Sequence, residues 1–260
     1  MEAPSVWPNR THCAVSLTYD DALIVHYTTV GPELVRHGLR GTFYVPVLSD
    51  LQVHPEHWRA LSAAGHALGN HTVFHPCRRD PPERFAWLAP AYDLCAYSPA
   101  QLRNELAVAD LVLRLIDGKT QRTFGNTCCD TTIGTGADEQ PIDTILAERF
   151  VAARGAMTNQ LAVPDGRLNL MNVGCFGVDG WSLAELTGLV DHAAAMGGWA
   201  VLMIHGVGVG THDMYLDSEV HRQFIALLAE RRTTTWVAPF IEVAGYLRAQ
   251  PADVVVPPRA

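Results

Sequence analysis

Three separated stretches carry the residue types of a hydrolytic site: Thr18-Tyr19-Asp20-Asp21, His71-Thr72-Val73-Phe74-His75 and Leu202-Met203-Ile204-His205. Two histidines four residues apart lie on one side of a helical turn, so both imidazoles can converge on a cation. A carboxylate then completes a three-ligand set that leaves positions open for water and substrate. Such a cation lowers the pKa of bound water toward about 7 and polarises an acyl carbonyl. Hydrolysis also needs a base for the water's proton and an acid for the leaving group. A carboxylate beside a cation stays ionised and suits the first role, and a histidine with an ordinary pKa of about 6.5 suits the second. Each stretch alone has a bland reading, as loop acids or a capping histidine pair. Their occurrence in one chain favours the chemical one.

Elements must bring these stretches together across most of the 260 residues. Apolar and hydroxyl residues over 12–19 suit a buried strand ending at Asp20-Asp21. Helical spacing follows at 32–37, a β-branched and aromatic strand at 41–47, and a helix at 55–64 carrying Trp58 and Leu61. Residues 76–98 are rich in Pro, Arg and aromatics without a period, which marks a long excursion. A helix N-capped by Ser98 runs to about Asp117 with Leu102, Leu106, Ala109 and Leu113 on one face. Strands at 122–124, 150–153 and 199–204 then alternate with helices at 141–149, 182–196 and 217–230. This alternation predicts an α/β chain with a parallel sheet or barrel, its chemistry at the strand C-terminal ends. No internal repeat divides it, so a single domain over 1–260 is expected.

Composition removes several function classes. The balance of 19 Lys+Arg against 27 Asp+Glu gives a net charge of −8 with no basic run, which disfavours nucleic acid and anionic membranes. Lys119 is the only lysine, so Schiff-base chemistry has one candidate. No stretch of 18 uninterrupted apolar residues offers a membrane span. The first residues show no basic-then-apolar signal, so a cytoplasmic location is the default expectation, or a secreted or periplasmic one if a leader precedes the chain. The six cysteines lack a framework spacing and a CxxC pair, and they read as mostly reduced thiols, with adjacent Cys128 and Cys129 as packing or loop thiols.

The three stretches, in this order, resemble the T-F-D-D, H-S/T-x-x-H and L-x-L-H motifs of the polysaccharide deacetylases, carbohydrate esterase family four. Tyr19 replaces Phe in the first motif, and Met203 and Ile204 keep the apolar frame of the last. The resemblance implies a distorted (β/α) barrel of about seven strands housing a metal-dependent hydrolase. It assigns Asp20 as general base, Asp21, His71 and His75 as metal ligands, and His205 as general acid. Zinc is the expected metal, with iron, cobalt and nickel fitting the same donors. The expected reaction removes acetyl groups from an acetylated saccharide, N-acetylglucosamine-containing chains being favoured. The alternatives are an acetylxylan-type esterase, a metal-free C–N hydrolase on a small amide or imide, and a saccharide-binding relic. The saccharide is the expected partner, with no nucleic acid and no membrane insertion.

Two motifs depart from the family. Where R-x-P-x-G is usual, the chain reads Phe124-Gly125-Asn126-Thr127-Cys128-Cys129, with Gly125 at the Arg position and Thr127 at the Pro position. A backbone N–H at Cys128 remains available for an oxyanion, and Arg154 is the candidate to replace the missing guanidinium. In Asp179-Gly180-Trp181 the acid is a candidate to tune His205. Trp87 and Tyr92 are candidates to stack on the apolar faces of sugar rings, and His212, on a glycine-rich loop, to border the substrate. His26, His37, His54, His57, His66, His192 and His221 read as surface or satisfied interior residues.

Overall fold

A computed structural model describes residues 6–164 and 166–250, so the ends of the expected 1–260 domain lie outside the described residues. Strand β1 (Cys13–Asp20) is buried at every position, as an uninterrupted run of apolar and hydroxyl side chains requires when both sheet faces are covered. Around it are β2 (Thr42–Val45), β3 (Ala67–Asn70), β4 (Phe124–Gly125), the small antiparallel pair β5 (Thr132–Ile133) and β6 (Gln140–Pro141), then β7 (Ala153–Arg154), β8 (Phe176–Gly177) and β9 (Trp199–Ile204). The pair β10 (Gly206–Val207) and β11 (Tyr215–Leu216) and strand β12 (Thr235–Val237) complete the set. The main sheet runs β7-β4-β3-β2-β1-β9-β8 with β12 beside the start of β1, and every pairing in it is parallel.

The two ends of this path meet through irregular backbone. Val173 donates to the Ala153 carbonyl at 2.9 Å, Gly155 to Val173 at 2.8 Å and Cys175 to Ala156 at 3.1 Å. The sheet therefore curls into the expected distorted barrel. Helices α1 (Gly31–Arg36), α2 (Asp50–Val53), α3 (Pro55–Ala63), α4 (Pro99–Asp117), α5 (Asp143–Ala147), α6 (Leu183–Met196), α7 (Ser218–Glu230) and α8 (Phe240–Ala249) complete the architecture. Their ends follow local sequence. Ser98 accepts from Gln101, Ser182 and Glu185 form a reciprocal capping box, Asp217 accepts from Glu219 and Val220, and the left-handed Gly118 and Gly197 close α4 and α6.

Register sets the site. Asp20 pairs with Tyr44, Tyr19 with Ile204, Asn70 with both Val45 and Phe124, and Gly125 with Arg154. The C-terminal ends of six strands thus lie together, and the motif residues lie on or just past them.

The structure corrects two expectations. Residues 71–75 form no helical turn. They are a loop after β3 in which Thr72 and His75 adopt left-handed φ of 68° and 54°, and hydrogen bonds from neighbouring elements impose this shape against local preference. Cys77 and Cys128 form a disulfide; sequence spacing does not reveal it because the two residues become neighbours only when β3 and β4 pair. The excursion after His75 is also tied down. Arg78 N–H and the Arg84 guanidinium each reach Asp130 at 2.7 Å, and Cys77 exchanges backbone hydrogen bonds with Tyr92 and Leu94.

Candidate active site

Residues of one parity on β1 face the barrel interior, so Thr18 and Asp20 point the same way. Both meet Arg154. Its guanidinium donates to Asp20 Oδ1 at 2.7 Å, to Asp20 Oδ2 at 2.5 Å and to Thr18 Oγ1 at 3.0 Å. Arg154 is fully buried, and its charge lies 4.8 Å from the centre of the Tyr44 ring. A Cβ on Gly125 would approach that ring to 2.6 Å, so no side chain fits at the motif position where relatives carry Arg. Here a guanidinium enters from Arg154, the direct partner of Gly125 on β7. Burial pushes the Asp20 carboxyl up, but the charge and hydrogen bonds of Arg154, together with the charges of His71 and His205, hold it below its ordinary value.

Asp21 follows β1 in a left-handed conformation, φ 73°, which turns its carboxylate away from Asp20 toward the loop after β3. Its Oδ1 lies 3.1 Å from His75 Nε2 and 3.6 Å from His71 Nε2, yet this buried oxygen makes no hydrogen bond of proper geometry. His71 Nδ1 donates to the Gly125 carbonyl at 2.7 Å, so the Nε2 lone pair faces Asp21. Burial pulls the His71 pKa down, which favours the neutral ring a metal requires. Desolvation acts on His75 in the same direction, but the hydrogen bond and charge of Asp21 together with the charge of Asp20 raise that pKa. Burial opposes ionisation of Asp21 as well, and the two imidazoles overcome it to hold its carboxyl well below the usual range. Donor atoms of Asp21, His71 and His75 all lie within 4.8 Å of one another. An orphaned carboxylate oxygen facing two imidazole nitrogens fits a small divalent cation.

His205 follows β9 and lines the same cavity. Asp179 accepts from its Nδ1 at 2.7 Å and from its backbone N–H at 3.0 Å, which leaves Nε2 as the second ring nitrogen. Burial alone lowers this pKa, but the hydrogen bond to Asp179 and the charge of Asp20 raise it to about 9. His212 stacks on His205 with ring centres 5.3 Å apart. Its Nδ1 lies 3.0 Å from the Met214 N–H and 3.1 Å from the Met214 carbonyl, which hold the ring in place. Cys128 lines the cavity beside the disulfide, with left-handed φ at both Cys128 and Cys129, and Trp87 lines the rim. Tyr92 is not among the lining residues and stacks instead on Phe74 at 4.7 Å. Thr127, at the usual Pro position, donates its hydroxyl to the Pro76 carbonyl.

Several supporting residues escaped the sequence reading. Buried Glu105 on α4 accepts from Val73 and Phe74 N–H and from the Tyr97 hydroxyl, and Asn70 accepts from Thr72 N–H at 2.8 Å. Together they hold the His71–His75 loop. His26 is buried, with Nε2 2.9 Å from the His205 carbonyl, and His221 meets the Tyr19 hydroxyl at 3.0 Å behind the first motif. Glu105 falls beside Leu106 on the apolar face of α4, the one sequence signal by which any of these could have been found.

Comparison with known proteins agrees with this geometry. A family model described as polysaccharide deacetylase matches residues 9–127. A gellan lyase of a Bacillus species is 24% identical over 264 residues, covering 93% of this chain, but the chain spans only 10% of that relative's length. Among solved structures, a polysaccharide deacetylase homologue from Mycobacterium smegmatis superposes with a TM-score of 0.61 at 16% identity, covering 98% of each chain. A family 4 acetyl xylan esterase from Clostridium thermocellum, solved with a cobalt ion, gives 0.55 at 17% identity, covering 92% of this chain and 94% of its own. A family pseudoenzyme from Bacillus anthracis gives 0.53 at 12% identity over 89% and 65%. The family match over residues 9–127 and the motifs ordered along this barrel make the chain similar to the polysaccharide deacetylases.

Proposed function

We propose that this protein is a metal-dependent hydrolase that removes acetyl groups from an acetylated saccharide, with N-acetylglucosamine units as the favoured substrate. One observation carries the reading: a proton acceptor held ionised, Asp20, and a proton donor held protonated, His205, border one cavity with Asp21 and His75, and buried His71 completes their donor set from behind. A divalent cation on that set, zinc in this reading, supplies a more acidic water and a polarised acyl carbonyl. Asp20 takes the attacking water's proton, and Arg154 keeps the carboxylate ionised and aimed. His205 returns a proton to the departing nitrogen, with Asp179 fixing the ring as a positioning residue. The Cys128 backbone N–H stands for the oxyanion donor, and Trp87 for a surface against a sugar face. The Cys77–Cys128 disulfide supports an oxidising compartment, secreted or periplasmic, over the cytoplasm.

The test combines elemental analysis of purified protein with acetate release from N-acetylchitooligosaccharides and acetylated xylan. About one transition metal per chain, with chelator-sensitive release, supports the proposal, and the faster substrate separates amide from ester specificity. Chelator-insensitive release returns the metal-free hydrolase, and bound metal without release on either substrate returns the binding relic. His75→Ala is expected to lose the metal and Asp20→Asn to keep it. The reverse pattern would exchange the roles of ligand and base.

A further inference from the structure

The cavity holding the proposed acid, base and ligands has a volume of 1680 Å³. Its floor is polar, and its mouth carries much exposed hydrocarbon beside polar residues such as Thr28, Thr29 and Asp213. Seven of the twelve large apolar side chains exposed among the described residues line this one cavity. Ile24 is 58% exposed on the turn after β1, Leu48 and Val53 are 52% and 63% exposed after β2 and at the end of α2, and Trp87 is 69% exposed on the excursion. Val209 and Met214, 81% and 48% exposed, come from the glycine-rich loop after β9. Four separate chain segments therefore each place unshielded hydrocarbon at the entrance. Scattered exposed apolar residues are ordinary; their concentration around a concave site with convergent polar groups marks a ligand surface.

Charge narrows the ligand. Among the described residues Arg84 is the only Lys or Arg lining the cavity, and Asp130 already engages it at 2.7 Å. Of the acids lining it, Asp20 is taken up by Arg154 and Asp21 by the ligand set, which leaves Asp50 and Asp213 toward the entrance. An anionic sugar or a phosphate-bearing lipid would meet carboxylates here without an available guanidinium, and an uncharged hydroxylated polymer would leave the apolar rim in water.

Resting on the proposed deacetylase reading, we infer that the substrate is an acetylated saccharide carrying an uncharged alkyl or aryl substituent, which packs against the Ile24, Leu48, Val53, Trp87, Val209 and Met214 rim while the acetyl group meets the polar floor. Each methylene that leaves water tightens binding by about fourfold, so a short alkyl chain suffices for a large preference.

The experiment compares methyl and hexyl glycosides of N-acetylglucosamine on the full-length, metal-loaded protein, by calorimetric Kd and by acetate release. The hexyl compound is expected to bind at least tenfold more tightly, and to show a kcat/KM raised by a similar factor through KM. Ile24→Ser combined with Val209→Ser is expected to bring the hexyl-to-methyl ratio to within about threefold of unity, an estimate that loses the methylene contribution. Leu111→Ser, on an exposed face of α4 that does not line the cavity, is expected to keep the ratio and serves as the control for general surface effects. Equal Kd values in the unaltered protein overturn the inference, as does a preference that survives the double substitution. Absence of acetate release from both glycosides would instead count against the deacetylase reading, while the Kd ratio still decides the apolar rim.

Discussion

Two carboxylate–cation pairs border the same cavity and differ in which member is tuned. Asp20–Arg154 is sealed, with both side chains almost without exposure, whereas Asp179–His205 is partly open, at 14% and 9%. In the sealed pair the cation is a guanidinium that never gives up its proton, so the partnership acts on the carboxyl and keeps it ionised. In the open pair the cation is an imidazole, so the partnership raises its pKa to about 9 and keeps it protonated near neutrality. One device, an opposite charge at hydrogen-bond distance, thus tunes the proposed base on one strand end and the proposed acid on another. What decides the outcome is which partner titrates near pH 7 and whether water reaches it.

The largest effect is expected from Asp20→Asn, which removes the base but keeps the shape; acetate release should fall by about 10²–10⁴ in kcat, with metal content unchanged by elemental analysis. Second is Arg154→Met, which strands a buried carboxylate. A loss of about 3–5 kcal/mol in chemical denaturation at pH 7 is expected, and the deficit should shrink at acid pH as that carboxyl takes up a proton. A loss below about 1 kcal/mol, the worth of an exposed pair, would mean the pair is not sealed. Third, His205→Ala should slow amide substrates by about 10²-fold while sparing activated esters, whose leaving groups need no proton. Equal losses would remove its role as acid.

The smallest and most discriminating change is Asp179→Asn. The acid must be protonated, so activity in the unaltered enzyme should persist until pH rises through about 9. Without the Asp179 charge the alkaline limb should move down toward the ordinary histidine value of about 6.5, with little loss at pH 6. An unchanged pH–rate profile would show that the open pair only positions the ring.

How far this was legible varies along the chain. Strand β9 and helices α4, α6 and α7 follow directly from apolar period and caps, which act within a few residues. The 150–153 strand was expected just before its observed place at Ala153–Arg154, and the 141–149 helix is shorter, Asp143–Ala147, because both elements are short and set by packing at the irregular barrel closure. His71 and His75 were recognisable as a pair, but not as a pair on a left-handed loop held by Glu105 and Asn70. Tyr92, a reasonable sugar platform by residue type, instead spends its ring face on Phe74.

By itself the sequence determined the α/β alternation, the parallel order and the set of chemically competent residues, because periodicity, capping and motif spacing are properties of neighbours along the chain. Tertiary structure alone decided that a guanidinium reaches Asp20 from the strand beside Gly125, that Cys77 bonds to Cys128, and that apolar tips from four segments ring one cavity. These depend on strand register and on which distant groups exclude one another from space, as the Tyr44 ring excludes any side chain at position 125.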